Sequence, residues 1–217
     1  MARRPPPRPP QQARSRDSLR RLLDAAETVL EKHGPDGATL PRIASQARRS
    51  AASVYRRFRD KDALMAAVFA RFSDANLAEL EQPVDTAAIR RIGLRPFARL
   101  WIGNMIRGYR TRTGLIRAAV QYSQTHKKAS FVRRKEALEI RSFRKMVDLF
   151  LLWRDEIRHP QPEYAVAYGM VMVALALREL ILFGHADLFE KVVPVDDGHL
   201  QEELPRMFLR YLGVAGE

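Results

Sequence analysis

The stretch Thr39–Leu64 places seven Lys and Arg side chains within 26 residues that also carry an apolar pattern typical of short helices. The apolar members can face inward, namely Leu40, Ile43, Ala44, Val54, Phe58 and Leu64. The basic members can stay in water, namely Arg42, Arg48, Arg49, Arg56, Arg57, Arg59 and Lys61. A cationic surface beside a short helix is what binding to duplex DNA requires.

A short helix that enters the DNA major groove, which is about 12 Å wide, needs small residues at its leading end. Ala51, Ala52 and Ser53 meet that need, and Ser50 is an N-cap candidate whose helix start can hold a phosphate. Arginine and hydroxyl side chains around this helix suit base edges and phosphates. The predicted DNA contacts are Thr39, Arg42, Arg48, Arg49, Ser50, Ala51, Ala52, Ser53, Tyr55, Arg56 and Lys61. Val54 and Phe58 are better explained as core, and Arg57 and Arg59 fit solvated charges equally well.

Three capped helices and a long connecting helix are predicted to position these residues. The first helix starts at Asp17, carries an apolar face from Leu19 to Leu30, and stops at Gly34-Pro35. Thr39, Ser50 and Asp60 are predicted N-caps of the following helices, which end near Ala47, Arg57 and Glu81. The predicted domains are a basic arm over 1–16, a helix-turn-helix domain over 17–60, a linking helix over 61–82 and a second helical domain over 83–217.

Charge supports a polyanionic partner. The formal net charge is +13, and residues 1–62 hold 15 Lys and Arg against 7 Asp and Glu. An anionic membrane surface is the rival to DNA as that partner. The arm 1–16 is rich in proline and arginine and is predicted to be disordered, either as a minor-groove contact or as a simple tail.

The chain has no cysteine, which excludes disulfides and thiolate metal sites and fits a cytoplasmic location. The longest uncharged run, Tyr164–Leu177, is 14 residues long. A membrane-spanning helix needs about 20 residues, so a soluble protein is predicted.

The segment Asp17–Phe72 resembles the DNA-binding domain of TetR-family transcriptional regulators. The resemblance rests on the Leu22-Leu23-Asp24-Ala25-Ala26 run, Gly34, Thr39 before Ile43-Ala44, Ser50 before Ser53-Val54-Tyr55, Phe58, Lys61 and Leu64. It implies a three-helix DNA-binding domain, a homodimer, and a helical ligand domain whose occupancy alters the hold on DNA.

One position departs from the family pattern. The turn of such proteins usually carries glycine followed by an apolar residue, where this chain has Arg48 and Arg49. A non-glycine residue at positive φ costs about 1 kcal/mol, and an inward Arg49 would have to extend out of the core. A gain of two positive charges at the DNA-binding surface explains these two arginines better than neutral sequence drift does.

The second domain is predicted to be entirely helical, over Thr86–Arg110 with a bend around Pro96, Gly114–His126, Ser130–Ile157, Glu163–Gly184 and Leu200–Leu212. The all-α fold class follows for the whole chain. Tyr164–Phe183 is apolar on nearly every side, so a second subunit is expected to cover one face, although closing the monomer core is the alternative. The predicted dimer contacts are Tyr164, Met170, Val173, Leu177, Leu200, Leu204, Met207 and Tyr211.

Aromatic and polar residues of this domain are candidates for binding a small, lipophilic effector. They are Phe97, Trp101, Asn104, Met105, Gln121, Tyr122, Phe143, Val147 and Phe150. For each aromatic and aliphatic member, packing in the core is the competing explanation, and the polar members could equally be satisfied buried hydrogen-bonding groups.

No catalytic constellation, phosphate loop, metal-binding spacing or cofactor motif is recognisable, so neither an enzyme nor a cofactor is expected. The sequence therefore predicts a homodimeric, ligand-responsive transcriptional repressor on a palindromic operator. The alternatives are a nonspecific binder of nucleic acid or anionic surfaces, and an orphan regulator with no small-molecule ligand.

Overall fold

The computed structural model describes residues 11–126, 130–184 and 186–214, and every regular element in these ranges is helical. The predicted all-α fold class is confirmed. The chain divides after Phe72 into two compact units. This division falls within the fourth helix.

The first unit begins with α1 (Gln11–Gly37), which is interrupted at Gly34, where φ is +64°. The stop predicted at Gly34-Pro35 is therefore present. The helix starts six residues earlier than the predicted start at Asp17, because Gln, Ala and Arg are good helix formers once the prolines end. Residues 11–16 are thus helical, contrary to the expectation of disorder, and the rest of the predicted arm, residues 1–10, lies outside the described residues.

Three short-range caps start the next helices as predicted. The Thr39 hydroxyl accepts from the Arg42 amide (3.4 Å) at the start of α2 (Leu40–Gln46). The Ser50 hydroxyl accepts from the Ser53 amide (3.2 Å) at the start of α3 (Ala51–Tyr55). Asp60 Oδ1 accepts from the Ala63 amide (2.8 Å) at the start of α4 (Lys61–Leu80). Each cap satisfies an amide that the helix itself leaves without a partner.

An apolar core and one charged cluster hold the first unit together. Its buried side chains include Leu22, Ala26, Leu30, Ile43, Val54, Phe58, Leu64 and Phe69. Arg71 of α4 contacts two carboxylates of α1, Asp24 (2.6 Å) and Glu27 (2.6 Å). The cluster ties α4 to α1, the helix that supports α2 and α3.

The second unit contains α5 (Thr86–Ile92), α6 (Leu94–Thr111), α7 (Thr113–Thr125), α8 (Ser130–Phe150), α9 (Pro162–Leu177), α10 (Ala186–Phe189) and α11 (Asp197–Tyr211). A 3-10 turn (Leu151–Glu156) follows α8, and a π turn (Arg178–Leu182) follows α9.

Several boundaries differ from the prediction. The expected bend near Pro96 is a break at Gly93, where φ is +89°. Pro96 itself fits within the first turn of α6, where the missing amide costs no hydrogen bond. The sequence did not indicate α10, and Pro205 lies inside α11 without ending it.

Aromatic rings form the centre of the second unit. The rings of Phe97 and Phe150 meet edge to face at 5.0 Å, and Trp101 meets Phe150 in the same way at 5.5 Å. Phe208 of α11 contacts Phe150 at 5.2 Å. Gly169 lets α9 approach this helix, because a Cβ there would lie 2.7 Å from the Phe208 ring.

Candidate DNA-binding surface

The turn between α2 and α3 is built from two exposed arginines. Arg48 has φ +53°, the left-handed region that favours glycine, so the departure noted in the sequence is accommodated by a strained residue. The Arg48 and Arg49 amides donate to the carbonyls of Ser45 (3.0 Å) and Ala44 (2.9 Å), which closes the end of α2. Arg49 is exposed rather than turned into the core.

The helix α3 separates core from surface side chains as the sequence predicts. Val54 is 1% exposed and Phe58 9%, and both pack inside the first unit. Tyr55 is 53% exposed, and Ala52 and Arg56 are exposed on the same helix. The small leading end of α3 and one aromatic hydroxyl are therefore accessible to a large partner.

Four of the basic side chains have partners within the first unit. Arg42 donates to the Gly37 carbonyl (2.7 Å), and Lys61 donates to the Pro35 carbonyl (2.7 Å). Arg57 lies 3.4 Å from the Ser15 hydroxyl, and Arg59 pairs with Asp60 at 2.8 Å. Arg42 and Lys61, two of the predicted DNA contacts, thus also hold the segment that connects α1 to α2.

The remaining three basic side chains are Arg48, Arg49 and Arg56. Within the described residues, none of them has a side-chain hydrogen bond or an ion pair. Three uncompensated guanidinium groups on and next to a capped helix give this surface a local positive charge that attracts phosphates.

The carboxylate that caps α4 is held in its charged form. The backbone amide of Ala63 lowers the pKa of Asp60, and the hydrogen bond from Arg59 adds to this. The cap next to the basic surface therefore stays ionised at neutral pH.

Two cavities lie along α1 beside this surface. The larger, of about 510 Å³, is lined by Arg21, Asp24, Ala25, Thr28, Gln46, Ala47, Arg48 and Arg49. The smaller, of about 290 Å³, is lined by Ser18, Leu22, Arg49, Ser53, Val54, Arg56 and Arg57. Both are open, arginine-lined grooves, and they share Arg49.

A short, capped and exposed helix that follows a tight turn and stands on a supporting helix is the arrangement of a helix-turn-helix DNA-binding domain. Residues 22–68 match the family model of bacterial regulatory proteins, tetR family. Residues 22–68 therefore form a helix-turn-helix domain of the TetR type, which supports a role in DNA-binding transcriptional regulation.

Solved structures of similar fold extend over both units. A protein from Mesorhizobium loti MAFF303099 assigned to the TetR family is 18% identical, with 93% of this chain and 98% of that chain covered and a TM-score of 0.61. A transcriptional regulator from Rhodococcus sp. RHA1 is 18% identical, with coverage of 90% and 96% and a TM-score of 0.63. The fatty acid degradation regulator FadR from Bacillus halodurans is 13% identical, with coverage of 88% and 97% and a TM-score of 0.53. At these identities the likeness establishes the fold. No curated protein matches the chain.

The residues predicted to bind an effector do not form one site. Phe97, Trp101, Val147 and Phe150 are buried in the core of the second unit, and Met105 and Phe143 pack against it. Asn104 and Gln121 are exposed, so neither is a buried hydrogen-bonding group, and the Asn104 side chain accepts a hydrogen bond from Arg107. The ring of Tyr122 stacks on His126 at 4.0 Å. Packing is thus the role that the structure gives to the aromatic members.

The structure places five of the predicted dimer contacts in the interior of the second unit instead of on its surface. Met170, Val173, Leu177, Leu200 and Leu204 are buried inside the second unit, because they face α6 and the aromatic core. The remaining three, Tyr164, Met207 and Tyr211, are exposed.

The exposed side of α9 carries apolar residues that the prediction missed. They are Tyr168, Val171, Met172 and Leu175, each 37 to 44% exposed. Their three-to-four-residue spacing after Tyr164 was the available signal. These residues together with Tyr164, Met207 and Tyr211 are called the α9–α11 face below.

The apolar character of α9 also bears on membrane insertion. By length and composition alone, Pro162–Leu182 could span a bilayer, with a mean hydropathy of 1.9 and 44% of the apolar window buried. This differs from the prediction, which counted the uncharged run only to Leu177. The buried side of the helix is accounted for by the core of the second unit.

Proposed function

We propose that this protein is a ligand-responsive, cytoplasmic transcriptional repressor that binds a palindromic operator as a homodimer. The observation that carries the proposal is the capped helix α3, whose accessible start stands beside the exposed side chains of Arg48, Arg49 and Arg56. In this proposal the start of α3 meets base edges in the major groove, with Arg56 as a donor to guanine. Thr39, Tyr55 and Lys61 contact phosphates on either side.

A second subunit is the proposed partner of the α9–α11 face. Seven exposed aromatic and aliphatic side chains on two neighbouring helices form an apolar surface of the kind that a partner covers. A twofold axis would bring α9 and α11 of both subunits into one four-helix interface. The DNA-binding domains of the two subunits could then reach successive major grooves, which are about 34–36 Å apart.

The proposed effector acts through the end of α4. Lys145 of α8 donates to the carbonyls of Leu80 and Gln82 (3.1 Å to the latter). Arg141 of the same helix contacts Glu81 at 3.3 Å. A compound that displaces α8 would therefore pull on the helix that begins in the DNA-binding domain. A lipophilic compound fits the apolar core from which α8 contributes Phe150, and the structural neighbour FadR is named for regulating fatty acid degradation.

Competition between duplexes tests the DNA-binding part of the proposal. A labelled palindrome from the DNA beside the protein's own gene is displaced by unlabelled palindrome or by random duplex. The proposal expects the palindrome to compete at concentrations lower by orders of magnitude. Equal competition would favour the alternative of a nonspecific polyanion binder.

Tyr55 offers a sharper test of the surface. We expect Tyr55→Phe to weaken operator and random duplex alike by about 5- to 100-fold, because one hydrogen bond to a phosphate is lost in each subunit of the proposed dimer. Tyr109→Phe is the matched control, since it removes a tyrosine hydroxyl from α6 in the second unit, outside the α9–α11 face. Fluorescence anisotropy measures both variants, and unchanged affinity of Tyr55→Phe would remove this phosphate contact from the proposal.

The dimer and the effector need separate tests. The double variant Tyr168→Glu, Met207→Glu should be a monomer in light scattering after gel filtration, and a wild type that is already monomeric contradicts the proposal.

The effector is tested by measuring the melting temperature of the protein in the presence of each compound of a lipophilic library. The closely packed rings of Phe97, Trp101 and Phe150 favour the orphan alternative, and the absence of any stabilising compound would support it.

A further inference from the structure

The turn residue Arg48 is strained without a structural reason that requires arginine. Its φ of +53° lies in a region that glycine occupies without cost. The turn itself is closed by backbone hydrogen bonds, which any residue could make. The Arg48 side chain is exposed and, among the described residues, has no partner that would hold it there. Strain that local structure does not need points to a role in binding.

The surroundings of Arg48 define the kind of ligand. The larger groove is lined by Arg48 and Arg49 of the turn and by Arg21 of α1, and the amide of Gln46 is a further donor group in its lining. The carboxylate that lines this groove, Asp24, is neutralised by Arg71 at 2.6 Å. Arg21 has an exposed partner, Asp17, at 2.9 Å. The groove is therefore positive, and planar guanidinium groups bind phosphate oxygens through paired hydrogen bonds.

The smaller groove extends this positive surface. It begins at the shared Arg49 and continues along α3 to Arg56 and Arg57. Both grooves are thus lined by residues of α1 and by Arg49 of the turn, and the smaller one also includes Ser53 in the first turn of α3. A DNA backbone beside the start of α3 would meet the arginine side chains of these grooves.

We propose that Arg48 and Arg49, with Arg21 across the groove, form a clamp for phosphodiester groups of duplex DNA, separate from the base-reading start of α3. The proposal rests on the proposed function, in which α3 enters the major groove. The clamp recognises backbone and not sequence, so it strengthens binding to operator and random duplex equally. The strained turn is retained because arginine at this position gives a phosphate contact that glycine cannot give.

Arg48→Gly is the decisive variant, and Arg49→Gln tests the same clamp without touching the strained residue. Each should weaken operator and random duplex by the same factor, about tenfold, and reduce the slope of log K against log salt by about 1.8, which is about 0.9 for each subunit of the proposed dimer. The melting temperature of Arg48→Gly should be equal to or above that of the wild type, because the strain is removed. Arg144→Gln, an exposed arginine of α8, is the control for losing one positive charge elsewhere and should leave the slope unchanged.

The outcomes separate the clamp from the proposed function. Unchanged affinity and slope in Arg48→Gly and Arg49→Gln overturn the clamp even when the wild type prefers its operator. Loss of operator binding alone, with random duplex unaffected, also overturns it, because Arg48 would then read bases. If the wild type shows no operator preference, the proposed function fails, while the salt slopes on random duplex still report on the clamp.

Inorganic pyrophosphate distinguishes DNA from a free anion as the ligand. If millimolar pyrophosphate raises the melting temperature of the wild type but not of Arg48→Gly, and both proteins bind DNA alike, the groove serves a free anion and the DNA assignment is overturned. If pyrophosphate competes with random duplex for the wild type more strongly than for Arg48→Gly, the shared phosphate chemistry of the clamp is supported.

Discussion

Replacing Gly169 with alanine tests how closely α9 and α11 are packed. The new Cβ would lie 2.7 Å from two carbons of the Phe208 ring and 3.4 Å from Tyr211. Phe208 is 3% exposed, and its ring is held by Trp101 at 5.7 Å and by Phe150, so it has little room to move. Overpacking of this kind costs about 1–3 kcal/mol, whereas alanine in place of glycine within a helix gains about 1 kcal/mol.

Because the Phe208 ring is held by its neighbours, the cost lies in the upper part of that range, about 2–3 kcal/mol. The net expectation for Gly169→Ala is therefore a loss of about 1–2 kcal/mol, or roughly 2–8 °C in melting temperature for a chain of this length. Circular dichroism during heating and in urea, at one fixed protein concentration, measures both quantities. Gly108→Ala is the matched control, because Gly108 lies inside α6 and a Cβ added there would have nothing within 4 Å. This control should gain about 0.5–1 kcal/mol.

Phe208→Leu completes the test by removing Cε2, one of the two ring carbons that the new methyl group would meet, and by leaving a smaller side chain. In that background, Gly169→Ala should cost less by at least about 0.5 kcal/mol, which is the coupling expected between residues in contact. If Gly169→Ala is as stable as the wild type, or if the coupling is absent, the close approach of α9 to α11 is not what requires glycine.

Three further predictions concern charged and ionisable groups. Arg71→Met should destabilise the first unit by about 1–2 kcal/mol in urea denaturation, because loss of the partly buried guanidinium leaves the two carboxylates of α1 without this partner. The control Arg20→Met, at an exposed arginine, should change the stability little. The backbone amide of His199 lowers the pKa of Asp196 below its ordinary 3.8, so this carboxylate stabilises the fold above pH 3.8 and the contribution is lost as the pH falls. Asp196→Asn should therefore be less stable than the wild type at pH 7 and lose less stability on acidification, and an identical acid profile would refute the linkage. Burial raises the pKa of Tyr109 above its ordinary 10.0, so stability should fall as the pH rises through 10, and Tyr109→Phe should flatten this alkaline loss in the same urea titrations.

The parts of the fold that depend on neighbouring residues could be predicted from the sequence. Thr39, Ser50 and Asp60 cap their helices because each side chain reaches an amide only three residues away. The strained turn was also predictable, since a tight turn without glycine forces another residue into positive φ. Val54 and Phe58 face the core because helical spacing puts them on one side of α3.

Other features depend on contacts that the sequence does not encode locally. The sequence could not show which face of α9 points inward, because the helix is apolar on nearly every side. Met170 and Val173 were therefore predicted to be on the surface but are buried, whereas the exposed Tyr168 and Met172 were not predicted to be there. Asn104 faces solvent because the packing of α6 against α9 and α11 sets how that helix is rotated.

The sequence by itself determined where α2, α3 and α4 begin, how the basic and apolar side chains of the first unit separate, and which family it resembles. These properties follow from hydrogen bonds and periodicities that span a few residues. The tertiary structure alone decided that Lys61 is held by the Pro35 carbonyl, 26 residues away, and that Arg48, Arg49 and Arg56 have no such partner within the described residues. Whether a charge is satisfied within the chain or available to DNA depends on which distant groups folding brings beside it.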